Sequence, residues 1–163
     1  MKKLWTALAA GLVLSAPCAA MAMDSAALLA DPAEYRVIYA DGGKAVYADM
    51  DTVRAMQSRD FPASIENISF TMYVETYAKN PDAMAYQTGN TVTDIQQYEA
   101  TAYGNHKTDE YRLEAKLTAV YDSHGAQIGD ASWKGKKAKV EADDIYYSLV
   151  RAAHAPQAEG TEG

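Results

Sequence analysis

Residues 111 to 121, YRLEAKLTAVY, alternate from end to end. Tyr111, Leu113, Ala115, Leu117, Ala119 and Tyr121 share one parity, and Arg112, Glu114, Lys116 and Thr118 share the other. Successive side chains leave a strand on opposite faces, so this pattern predicts a half-buried strand and argues against a helix. Asp122-Ser123-His124-Gly125 follows, with Asp at the first turn position and Gly at the last. AQIGDASW (126–133) then returns as a partner strand. A hairpin of this kind has one apolar face to bury, so the remaining elements must extend the sheet and cover it.

Those elements can be traced along the chain. Asp24 to Pro32 reads as a short helical or irregular lead-in, stopped by Pro32. EYRVIYA (34–40) and KAVYADM (44–50) are β-rich runs, and Asp41-Gly42-Gly43 between them predicts a tight hairpin turn through glycines at positive φ. DTVRAMQS (51–58) reads as a single helical turn with Asp51 as its N-cap. The run 64–78 alternates again, with Ile68, Phe70, Met72 and Val74 on one face and Asn67, Ser69, Thr71, Tyr73 and Glu75 on the other.

Residues 79 to 90 read as loop. TVTDIQQYEATAY (91–103) is a more polar strand, suited to a sheet edge or to a sheet with one wet face. KGKKAK (134–139) is a solvated loop. From Val140 to His154 the period changes to helical, with Ile145, Leu149 and Ala152/Ala153 on one side. Asp143 and Asp144 in its first turn, and Arg151 and His154 in its last, complement the helix dipole. The expected fold is α+β: a meander of about six antiparallel strands with a C-terminal helix packed on one face.

The N-terminus sets the expected destination. Lys2 and Lys3 precede an apolar stretch from Leu4 to Ser15, and Ala20-Met21-Ala22 matches a signal-peptidase site. That stretch is shorter than the roughly 20 apolar residues a membrane span needs. Residues 1–22 are therefore expected to be a cleaved leader, 23–154 a single domain and 155–163 a disordered tail. Lipidation at Cys18 is disfavoured, because Pro17 stands where a small residue is required. Cys18 is the only cysteine, so a domain starting near Met23 has none and relies on its core alone.

Charge narrows the partners. Removing 22 of the 163 residues leaves 141, and losing Lys2 and Lys3 leaves 13 basic residues against 22 acidic, a net charge of −9. That balance argues against nucleic acid and against anionic membrane surfaces.

The order of these segments resembles the surface-adhesin protein E family, small exported bacterial proteins. The likeness runs over most of residues 35 to 153. It is carried by YRVIYADGGKAVYADMDTV, by EYRLEAKLTAVYDSHGAQI with its Tyr-Arg strand and Tyr-x-Asp-x-x-Gly turn, and by IYYSLV in the closing helix. The resemblance implies an antiparallel sheet with a C-terminal helix packed against it. It also implies binding to host matrix or envelope proteins, at the periplasm or cell surface of a bacterium. The chain departs from the family pattern at Tyr35, where members commonly carry Trp, and in lacking the two cysteines that often tie helix to sheet.

Catalytic patterns are sparse. His106 lies near Asp109 and Glu110, and His124 follows Asp122. A small periplasmic enzyme or metal binder centred on His106, Asp109 and His124 is the alternative to a binding protein, although no two histidines share the spacing that presets a site. No Gly-x-Ser-x-Gly elbow or phosphate loop is present, and Asp143/Asp144 are explained by the helix start. No cofactor is called for. Asn67-Ile68-Ser69 matches a glycosylation sequon, which in a bacterial export is coincidental. Tyrosine is the remaining signal, 12 against 2 phenylalanines. Tyr73 and Tyr77 fall on the polar parity of their strand, and Tyr103 opposes Ala100 and Ala102. Exposed tyrosines give large contact area at low entropic cost, so these three are the candidate protein-binding residues.

Overall fold

The computed structural model describes residues 23–56, 65–78, 91–105 and 107–153, apart from the side chains at 65, 66, 143, 144 and 152. The segments expected to be leader (1–22), loop (79–90) and tail (155–163), with His106 and His154, lie outside the described residues. The elements are α1 (Ser25–Ala30), β1 (Tyr35–Ala40), β2 (Lys44–Met56), β3 (Ile65–Tyr77), β4 (Val92–Asn105), β5 (Glu110–Tyr121), β6 (Gln127–Asp130) and α2 (Ala142–Ala153). Six strands form one antiparallel sheet in the order β1-β2-β3-β4-β5-β6. The meander is as expected, and the molecule is mostly β. No described helix is long and apolar enough to cross a membrane.

The two turns expected from sequence are both present, but by different chemistry. At 122–125, Gly125 takes φ 82°, and the Asp122 carboxylate accepts the N–H groups of His124 and Ala126. Those N–H donors hold its carboxyl below the usual carboxylate range. At 41–43 neither glycine has positive φ. There the Asp41 Oδ1 accepts the N–H groups of Gly43 at 2.7 Å and Lys44 at 3.0 Å, so a side chain closes the turn.

Residues 51–56 are strand, not the helical turn their composition suggests. Between Asp49 and Arg54 the pairing to β3 slips, because Asp49 faces Thr71 and Arg54 already faces Ser69. The extra residues form a bulge. Asp49 Oδ1 accepts the Asp51 N–H, Thr52 Oγ1 donates to the Asp49 carbonyl, and the Thr71 N–H donates to Thr52 Oγ1. Turn-like local bonding is thus real at 49–52, and cross-strand pairing then restores the ladder through Met56.

A second bulge rewrites the most regular strand. Tyr98 faces Leu117 but Gln97 faces Ala119, so Thr118 has no opposite residue. One extra residue reverses the parity of everything beyond it. Leu117 and Val120 consequently enter the core on the α2 side, while Ala119 and Tyr121 enter a separate cluster on the other face. The expectation that Tyr111, Leu113, Ala115, Leu117, Ala119 and Tyr121 share one face fails at Thr118.

The main core lies between the sheet and α2. Ile68, Phe70, Met72 and Val74 supply it from β3 as their alternation requires, and Ile145, Tyr146 and Leu149 supply it from α2. Tyr146 lies over Gly104 so closely that a Cβ there would fall 1.9 Å from its Cζ. The helix can approach the sheet only because that strand position has no side chain.

Candidate binding surface

The sheet's second face divides into two halves. One half is roofed by α1, whose N-cap Asp24 accepts the Ala27 N–H at 2.8 Å and whose Leu28 is buried. Beneath it lie Tyr47, Tyr73, Tyr77, Ile95, Ala119 and Tyr121. Tyr73 and Tyr77 are only 7% and 8% exposed, so neither presents a contact surface. Polar parity misplaced them because the lead-in folds back as a helix and converts this half of a wet face into a second core.

Tyrosine is used here in place of phenylalanine because the cluster encloses a carboxylate. Glu75 is 1% exposed. Its Oε2 accepts the Tyr47 hydroxyl at 3.0 Å and the Tyr77 hydroxyl at 2.5 Å, and its Oε1 accepts the Ser25 hydroxyl from α1. Tyr121 donates to Gln97 Oε1 at 2.9 Å, and the Tyr35 ring meets Tyr73 edge-on at 5.8 Å. Burial, reinforced by the Asp49 carboxylate, pushes the Tyr73 phenol up to about 12. Each buried hydroxyl with a partner avoids the penalty of an orphaned polar group. Nothing in the sequence marks Glu75 as buried, since it sits on the polar parity of β3.

Among the described residues, no helix covers the other half of this face. One row crosses four strands as Met56, Asn67, Tyr103 and Arg112. Tyr103 is half-buried, its ring lies 4.8 Å from the Arg112 guanidinium carbon, and its hydroxyl donates to Glu114 at 3.3 Å. Arg112 also pairs with Glu114 at 3.0 Å. Met56 is 51% exposed, whereas Asn67 is 6% exposed and its Oδ1 has no hydrogen-bond partner among the described residues. Asn67 is thus too enclosed to serve as a glycan acceptor. Of the three tyrosines singled out from sequence, Tyr103 alone borders solvent, with an Arg against its ring and a Met two strands away in the same row, residue types enriched where proteins meet.

Asp109 and His124 stand before and after β5, so twelve strand residues, roughly 40 Å at strand rise, separate them. The fold does not bring them together. Among the described residues no three His, Cys, Asp or Glu side chains are grouped as a metal site. The lysine loop 134–139 is docked, not free. Gln96, fully buried, donates to the Asp94 carboxylate and to the Lys136 carbonyl, and accepts from Tyr98 Oη and the Ala138 N–H. The loop walls a cleft of about 560 Å³ in which Lys44, Lys136, Lys137 and Lys139 are offset by Asp41 and Asp94. Comparison with protein-family models, with curated proteins and with solved structures returns no match.

Proposed function

We propose that the chain is an exported, non-enzymatic protein-binding module of the bacterial envelope or surface, with the open half of the sheet around Tyr103 as its contact surface. The observation that carries this reading is the row Met56–Asn67–Tyr103–Arg112, beyond the reach of the α1 roof. The strands present there an aromatic ring held by its Arg112 and Glu114 contacts, a guanidinium against it and an exposed thioether. The leader-like N-terminus and the resemblance to the surface-adhesin protein E family support an envelope or host-matrix protein as partner.

The test is capture from envelope and host-matrix extracts on the immobilised chain, followed by affinity measurement on the captured protein. Tyr103→Ala should weaken binding at least tenfold, as a central aromatic anchor does. Tyr147→Ala, an exposed tyrosine on α2 across the sheet, should leave it unchanged. Equal affinities for wild type and Tyr103→Ala would remove this surface from the proposal.

A further inference from the structure

β5 is paired along its inner edge from Glu110 to Tyr121, but β6 meets its outer edge only at Ala119, Val120 and Tyr121. Among the described residues, the outer edge of 110–118 therefore has no strand beside it. An unpaired strand edge is a template for another strand. β2 also runs beyond its neighbour β1, but the bulge between Asp49 and Arg54 interrupts that edge.

The open stretch of β5 is complementary to itself. Its solvent face away from α2 reads Glu110, Arg112, Glu114, Lys116, alternating in sign. In a two-fold antiparallel pairing centred on Leu113, Arg112 faces the partner's Glu114 and Glu110 faces the partner's Lys116. Symmetry doubles these to four opposite-charge contacts. Moving the centre to Arg112 or Glu114 sets like charges against each other, and moving it to Tyr111 or Ala115 leaves two attractive contacts. On the α2 face the same register puts Leu113 beside the partner's Leu113. It also puts the Tyr111 ring beside the partner's Ala115, which is small and exposed. The paired stretch, 110–116, stops short of the residues that β6 occupies.

We propose that a second copy of this chain docks here, β5 against β5 about a two-fold axis at Leu113. The two sheets become one, as an isologous interface requires. The axis is perpendicular to the sheet, so both Tyr103 platforms lie on one face and both α2 helices on the other. This inference does not depend on the proposed partner protein.

Sedimentation equilibrium on the whole chain tests it. Arg112→Glu replaces two attractive contacts with two repulsive ones, as does Glu114→Arg. Each should weaken self-association roughly ten- to a hundredfold. Both residues are exposed, so circular dichroism should show unchanged folding. Mixing the two variants restores every contact between unlike chains, and an equimolar heterodimer should form with near wild-type affinity. In a Cys18→Ser background, Leu113→Cys should oxidise to a covalent dimer, because facing residues on paired strands lie within disulfide reach. A wild-type chain that stays monomeric, variants that self-associate like wild type, or a mixture that forms no heterodimer would each overturn the proposal. So would occupation of this edge by a different protein.

Discussion

Gly104→Ala is the sharpest test of how α2 is seated. A Cβ at this position would lie 1.9 Å from Tyr146 Cζ, 2.0 Å from its Oη and 2.5 Å from Cε2. Non-bonded carbons settle about 3.5–4.0 Å apart, so the ring must retreat by about 1.5–2 Å. It cannot retreat alone. Tyr146 stacks on Tyr111 at 4.5 Å between ring centres, and it is flanked on the same helix by Ile145 and Leu149, both fully buried. Overpacking of this kind costs about 1–3 kcal/mol. At roughly 4 °C per kcal/mol for a domain of this size, Tm should fall by about 4–12 °C.

Urea unfolding of Gly104→Ala, of Tyr146→Ala and of the double variant completes the cycle. Tyr146→Ala alone should cost about 3–5 kcal/mol through the cavity it leaves. The double variant should be less destabilised than the sum by at least about 1 kcal/mol, because the methyl has room once the ring is gone. Hydrogen exchange in Gly104→Ala should speed up first in the amides of α2. Additivity within about 0.5 kcal/mol would refute the close approach of helix and strand.

Other expectations can be checked by the same methods. Leu117→Ala should cost about 2–5 kcal/mol by emptying a core position, whereas Lys116→Ala, one residue away and exposed, should change urea stability by less than about 0.5 kcal/mol. Gln96→Leu should destabilise by about 1–3 kcal/mol and selectively expose the Ala138 amide to exchange, because the lysine loop loses its anchor. Stability should fall between pH 10 and pH 12. Folded Tyr73 holds its proton up to about 12 while the unfolded chain releases it near 10, so this contribution is intact below 10 and lost as pH rises through 12. Tyr73→Phe should remove part of that alkaline slope in a pH series of melting curves.

Local pattern was enough for much of the fold. The alternation of Ile68, Phe70, Met72 and Val74 placed them on the helix-facing side, and the Asp122–Gly125 signal placed a turn, because both depend on chain geometry over a few residues. The helical spacing of Ile145 and Leu149 likewise located α2 and its buried side, although Tyr146 became visible as core only against Gly104. What tertiary structure alone decided were the points where one strand answers to another. The bulge at Thr118 exists because β4 and β5 pair out of step, and no local signal announces it, yet it moves Tyr121 to the opposite face. The bulge after Asp49 turned an apparent helix start into strand for the same reason. Whether Tyr73, Tyr77 and Glu75 are wet or buried depended on where a six-residue helix about fifty positions earlier came to rest. Parity tells which face of a sheet a side chain occupies, but burial is a property of what lies across from that face.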